Sequence, residues 1–315
     1  MRDEAASPEG ALAQAAAVRR QARTRGAGLD RALPYLLLAP ALLLILAVIV
    51  YPLFYGLRES FLGYRYGHSI GNVGVQNYKD LYSDPYFRDA LWVTLKFVLL
   101  AVGIETVLGL GLALLAAREL PLIRFARLVL ILPMIITPIV VGIVFRLIYA
   151  SDTGLLTILN GKLFGGGPVL ILDKPLTAFL GLVVLDVWEW TPLMFLILLA
   201  GIQSLPVEPF EAARVDGAGA WRTFLDHTLP MLRPVLAVAV VLRTIDAFTT
   251  FDQIFVLTRG GPGTSTQLIS IYGYDTAFKF SQFGYGAAMM ITVAVLVLVF
   301  AALAVKLIRR EAAAQ

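Results

Sequence analysis

Six long apolar stretches constrain this chain more than any other feature. They lie near 33–57, 91–117, 124–149, 176–201, 233–257 and 284–308. Each exceeds the roughly 20 apolar residues that a helix needs to cross the hydrocarbon core of a bilayer. The composition agrees, because 58% of the 315 residues are hydrophobic and only 15% are charged. A soluble domain is nearer a quarter charged. The sequence therefore predicts an all-α membrane protein with six transmembrane helices, and the prolines Pro40, Pro133, Pro138 and Pro192 predict that some of them kink.

The remaining charges gather between the apolar stretches. A formal net charge of +4 does not point to nucleic acid, because the Lys and Arg residues sit beside spans, where they set orientation. Arg19, Arg20, Arg23, Arg25 and Arg31 share one side with Arg118, Arg124 and Arg127 in a very short loop and with Lys306, Arg309 and Arg310. By the positive-inside rule that side is cytoplasmic, so both termini are expected there. Residues 1–32 read as an Ala-rich basic tail, 33–310 as the transmembrane domain and 311–315 as a short tail. The apolar segment after the first tail is too long for a signal-peptide core and lacks an A-x-A-like cleavage site. The opposite loops, about 58–90, 150–175 and 258–283, are richer in Gly, Tyr, Ser, Asn and Asp and are expected outside. The chain has no Cys, which excludes disulfides and thiolate sites. Its two histidines, His68 and His227, lack ligand spacing, so no metal site is expected.

One cytoplasmic loop, residues 203–232, is longer than a connector between neighbouring helices requires. It reads as helix, turn, helix. Pro206 or Pro209 starts the first helix, Glu208 and Glu211 suit its positive end, and Gly217 supplies the turn. Ala220, Trp221, Phe224 and Leu225 then recur at helical spacing. Periodicity alone fits an amphipathic hairpin on lipid headgroups equally well. The residues themselves, EAARVDGAGAWRTFLDHTLP, resemble the EAA loop of binding-protein-dependent ABC importer permeases: E-A-A, three residues on D-G-A, then an aromatic and L-P. The resemblance implies that Glu211, Ala212, Ala213, Asp216, Gly217 and Ala218 form a coupling knob that fits a cleft in an ATPase subunit. Glu211 would pair there with an Arg of that partner. A looser likeness of residues 216–222 to the D-G-x-x-A-R start of membrane CDP-alcohol phosphotransferases fails. Those enzymes need two further aspartates four apart, and only Asp226 follows nearby.

A second string, TRGGPGTSTQLISIYGYDTAFKFSQFGYGAAM at 258–289, is similar to the T-x-G-G-P…T…Y…AF…G-Y-x-A signature of carbohydrate-importer permeases of the larger maltose-permease type. As a plain turn, Gly260, Gly261, Pro262 and Gly263 would close any external loop. The first outer loop also resembles that family, departing at Val93, where Asn is usual.

Ionisable residues inside spans are costly and face a cavity or one another. Asp186, Glu189, Trp190 and Leu193 follow i, i+3, i+4, i+7 spacing, as do Arg243, Asp246, Ala247 and Thr250, so each set occupies one helix face. Carboxylates, hydroxyls, an indole and an Arg suit a polyol. The resemblance implies that these eight positions correspond to those at which the maltose permease holds its sugar, with Leu193 and Ala247 shaping the pocket. The alternative is an ion pair of Arg243 with Asp186 or Glu189 that only ties two helices together. Lys96 and Glu105 in the second span carry no assigned role; Glu105 is deep enough to need a partner that the sequence does not identify.

The family resemblance implies an importer permease for a sugar or sugar-like solute. Its partners would be a second homologous permease, two ATPase subunits, an external solute-binding protein and membrane lipid. The chain carries no G-x-x-x-x-G-K-[ST] phosphate loop, so it is read as no enzyme, with ATP and Mg bound by the ATPase. An ion-coupled secondary carrier would also account for the membrane acids but leaves the EAA loop without a task.

Overall fold

The computed structural model describes residues 33–117 and 123–313. The tail 1–32 with its arginines, the loop residue Arg118, and 314–315 lie outside the described residues. Helix α1 (Leu33–Glu59) is followed by a hairpin of β1 (Leu62–Arg65) and β2 (His68–Asn72), then α2 (Gln76–Ser83) and α3 (Pro85–Ala116). Next come α4 (Ile123–Ile135), α5 (Pro138–Ile148), α6 (Leu155–Phe164) and α7 (Pro175–Gln203). The chain continues with α8 (Glu208–Val215), α9 (Ala220–Thr249), α10 (Asp252–Leu257), α11 (Ile269–Tyr274) and α12 (Phe283–Ala313). Five helices are long and apolar enough to cross a membrane, and six spans result if α4 and α5 count as one broken span. Residues 33–58 belong to a unit of their own, in which α1 exposes Leu36, Leu43 and Ile49, as a helix solvated by lipid does.

Three boundaries differ from expectation, each for a local reason. The second span starts at Pro85, not near 91, because the Asp84 side chain caps it, accepting the Tyr86 N–H at 2.8 Å, with Pro85 in the first turn. The third stretch, read as one span over 124–149, is two helices bent by 99°. Thr137 precedes Pro138 and is held extended at φ −66°, ψ 139°, which stops α4 and restarts the chain as α5. The fifth stretch, read as 233–257, begins at Ala220 and ends at Thr249; Thr250 leaves the helix at φ −55°, ψ 125°. The hairpin between the first and second spans is a small departure from an all-α fold. Tyr66 and Gly67 both take positive φ, 51° and 81°, which is the two-residue turn that matches strand twist.

Helices α3 and α7 pack most extensively, and small residues permit it. A Cβ at Gly109 would stand 3.0 Å from the Phe195 backbone nitrogen, and one at Gly142 of α5 would stand 3.0 Å from the Gln253 Cα of α10. Phe97, Ala101, Phe145, Leu182, Leu185, Ala247 and Ile254 fill the core between these elements. Of the short-loop arginines, Arg127 donates to the Ala116 carbonyl at 2.6 Å, closing the C-terminus of α3.

At the other end of α3, the Tyr272 and Tyr285 hydroxyls each donate to Asp84 Oδ2 at 2.7 Å, fastening α11 and α12 to the α3 cap. Burial pushes the Asp84 carboxyl up, but the two tyrosines and the backbone N–H groups outweigh it and hold the group below its ordinary 3.8. A native value below the unfolded one stabilises fully above the unfolded value and is lost as pH falls through the native value. Asp84→Asn is therefore expected to lower the thermal midpoint in detergent at pH 7, by an amount equivalent to roughly 1–2 kcal/mol. The gap from wild type should begin to narrow only below about pH 4 and close as pH falls through the lowered native value. A gap that is absent at pH 7, or that persists unchanged in acid, contradicts this clamp.

Candidate functional site

The two polar faces expected from the sequence meet, and a third helix joins them. Arg243 of α9 is fully buried and donates through Nη2 to Asp186 Oδ2 of α7 and, at 3.1 Å, to Glu105 Oε1 of α3. Its Nη1 donates to Asp246 Oδ2 one turn along α9 at 3.0 Å. Its Nε lies 2.8 Å from Glu105 Oε2, within ion-pair distance but out of line for a hydrogen bond. The guanidinium fork thus engages three carboxylates from three helices, with the Trp190 ring 5.3 Å from Cζ on one flank. Gln253 Nε2 of α10 adds a hydrogen bond to the free Asp186 oxygen, Oδ1, at 3.2 Å.

Each expected residue has a distinct situation. Arg243 is held by Asp186, Glu105 and Asp246, with only its Nε left without a hydrogen bond among the described residues, and both Asp186 oxygens are engaged, by Arg243 and Gln253. Glu189, one turn from Asp186, is buried at 1% exposure, and its Oε2 has no hydrogen-bond partner among the described residues. The same holds for the indole nitrogen of Trp190. The Asp246 side chain is 46% exposed even while it holds Arg243. Leu193 is half-buried, whereas Ala247 is fully buried in the apolar core and Thr250 only returns a weak 3.4 Å bond to the Asp246 carbonyl. The ion pair weighed from the sequence forms with Asp186 and not with Glu189. Glu105, left without a partner in the sequence reading, is the second anchor. Gln253 was not singled out at all, and no helical spacing from Arg243 reaches it, because α9 ends between them.

The loop 203–232 folds as helix, turn and helix. Helix α8 carries Glu208 and Glu211 in its first turn and Arg214 in its last. Gly217 takes φ 72°, and the Ala218 N–H closes the helix end on the Ala213 carbonyl at 2.9 Å. Glu211, Ala212, Asp216 and Gly217 are exposed, Ala218 is half-buried and Ala213 is buried against the body. Around them Val207, Val215, Trp221 and Leu225 expose apolar surface, with Val215 at 89%. The second helix of the loop has no end of its own before the membrane; it is the start of α9.

A family model described as the inner-membrane component of binding-protein-dependent transport systems matches residues 105–312. The sulfoquinovosyl glycerol transport system permease protein SmoG of Agrobacterium fabrum is 35% identical over 285 residues, covering 90% of this chain and 92% of its own length. The trehalose/maltose transport system permease protein MalF of Thermococcus litoralis is 40% identical, covering 72% and 77%. The trehalose transport system permease protein SugA of Mycobacterium tuberculosis is 36% identical, covering 90% and 91%. A bacterial alginate ABC transporter, solved in complex with an alginate pentasaccharide-bound periplasmic protein, shares the fold. Its TM-score is 0.78 over 90% of this chain and 96% of that one, at 24% identity. With its apolar helices, its α8 hairpin and this match, the chain belongs to the family of multi-pass inner-membrane permease components of binding-protein-dependent transport systems.

Proposed function

We propose that this chain is the permease subunit of an ABC importer that carries a sugar or sugar-like solute into the cell. The observation that carries the solute class is the polar cluster on α7 and α9, where Glu189 Oε2 and the Trp190 indole N–H lack partners among the described residues beside a half-exposed Asp246. Buried polar atoms left unpaired are costly, and sugar hydroxyls supply matching donors and acceptors. Relatives named for trehalose, maltose and sulfoquinovosyl glycerol transport support the same class.

Within this reading the eight residues divide their work. Glu189, Trp190 and Asp246 contact the solute, and Leu193 and Thr250 shape the chamber. Arg243 and Asp186 position these groups, and Ala247 keeps α9 close to its neighbours. The α8 knob, with Glu211, Ala212, Ala213, Asp216, Gly217 and Ala218, docks on an ATPase subunit, and its exposed Val215 and Trp221 supply the apolar part of that interface. The working complex comprises a second homologous permease, two ATPase subunits that bind ATP and Mg, and an external solute-binding protein. The α8 knob and both termini then face the cytoplasm.

Two sets of variants test this. Glu189→Ala is expected to raise the KM for solute about tenfold, the loss of one good hydrogen bond to a charged group, with the complex still assembled. Asp246→Ala should raise KM similarly and, because Asp246 also holds Arg243 from a half-exposed position, cost some stability as well. Asp186→Ala leaves Arg243 short of a partner and should instead lower stability by about 3–5 kcal/mol, read as loss of folded complex on heating. Unchanged uptake in the first two variants reduces the cluster to a structural tie. In the knob, Gly217→Val should abolish ATP-driven uptake while the permease remains inserted. Gly217→Asn should retain it, because Asn tolerates positive φ and a Cβ at Gly217 meets open space. Uptake that continues without any ATPase and collapses with the proton gradient would select the secondary-carrier reading instead.

A further inference from the structure

A cavity of about 300 Å3 lies beyond the end of α9 and is lined by Phe255, Arg259, Tyr274, Asp275, Phe278 and Lys279, among others. Its size falls at the lower end of small-molecule sites, which span about 300–1,000 Å3. Its walls combine aromatic faces with both signs of charge.

The rings are not scattered singly, as lipid-facing interfacial aromatics are. Phe251 contacts Phe255 at 5.2 Å between centroids and Tyr274 at 5.1 Å; Tyr274 contacts Phe255 at 5.4 Å and Phe278 at 5.2 Å. At one end the row reaches Phe251, the residue after Thr250, and at the other it passes through Phe278, which is 63% exposed, to Phe283 at 5.8 Å. Arg259, Asp275 and Lys279 form no ion pair among the described residues, so the charges on the cavity rim remain open to a ligand.

Two backbone irregularities build this arrangement. Arg259 takes φ 52°, a conformation that an Arg adopts only under constraint, and its guanidinium lies 5.4 Å over the Phe255 ring. Asp275–Lys279 form a π-helical turn, and such turns re-aim side chains and recur at functional sites. Here the turn belongs to the stretch that supplies Asp275, Phe278 and Lys279 to one cavity.

We propose that this cavity is a second sugar subsite, distinct from the Glu189 and Asp246 chamber. In it a pyranose face stacks on Tyr274 and Phe278, and Arg259, Lys279 and Asp275 bond its hydroxyls or an anionic substituent. The solute then moves along the ring row past Phe251 to the chamber. The inference rests on the sugar-importer reading above.

The test uses the complete complex, reconstituted in liposomes with its binding protein, and trehalose, maltose and sulfoquinovosyl glycerol as probes. Phe278→Ala and Arg259→Gln are expected to raise the KM for the transported probe, by about tenfold for the lost ring, with kcat retained. Both residues are exposed, so neither substitution opens the core. Because the chain has no cysteine, Phe278→Cys places one thiol in the cavity. Its labelling by an impermeant maleimide should slow severalfold with the transported sugar and not with the others. ATP-driven uptake by the wild type with unchanged KM in both variants and no sugar protection overturns the subsite and leaves the importer reading standing. Protection that follows the lipid composition and ignores sugar makes the cavity a headgroup site and overturns the subsite too. Failure of the wild type to take up any of the three sugars overturns the importer reading, and the subsite with it.

Discussion

The placement of a single guanidinium, Arg243, without solvent among Glu105, Asp186 and Asp246 sets the terms for the rest of the bundle. In hydrocarbon an unpaired charge of this kind is prohibitive, so α9 has one register against α3 and α7 in which Glu105 and Asp186 both reach the fork that Asp246 of the same helix already holds. The apolar packing of α3 on α7 tolerates neighbouring registers far better, since Leu and Val surfaces are interchangeable in lipid. The ionic cluster therefore supplies specificity, while glycines such as Gly109 supply the close approach that lets the carboxylates converge. One consequence is a division among the polar residues. Glu105 and Asp186, turned to Arg243, are consumed in holding the helices. Glu189 and Trp190 keep unpaired atoms, and Asp246 holds Arg243 while staying half-exposed, which is why these three are the proposed solute contacts.

A continuous α9 joins the two ends of the mechanism. It begins at Ala220, inside the knob, and carries Arg243 and Asp246 near its far end. At 1.5 Å per residue the span from Ala220 to Arg243 is about 35 Å. In the proposed mechanism a push on the knob would travel along one helix, crossing only the π-helical turn at Phe224–Thr228 and the neighbouring prolines Pro230 and Pro234. Because the guanidinium also grips α3 and α7, a movement of α9 would, on the proposed mechanism, carry those helices with it.

Much of this was legible in the sequence where a physical rule acts locally. Apolar length located the spans, Gly217 and the glutamates located the α8 hairpin, and helical spacing put Arg243 and Asp246 on one face. What failed depended on contacts between distant residues or on backbone breaks. Glu105 is more than a hundred residues from Arg243, and nothing in the periodicity of either helix says that they meet. Gln253 sits past the break at Thr250, where counting along α9 no longer applies. The kink at Pro138 was foreseen as a kink, but a 99° turn needs α5 to pack across α10 at Gly142, which no proline announces. The hairpin at 62–72 escaped notice because Gly63, Gly67 and Gly71 interrupt any alternation of polar and apolar residues.

The central claim is that force applied to the knob reshapes the chamber, and site-directed accessibility tests it most directly. Asp246→Cys, the sole thiol in an otherwise cysteine-free chain, would be probed with an impermeant maleimide in the reconstituted complex, with and without a non-hydrolysable ATP analogue. The account predicts that the analogue switches the side of the membrane from which this thiol is labelled, and that adding Gly217→Val abolishes the switch. The same labelling from the same side, with nucleotide or without it, would contradict the account.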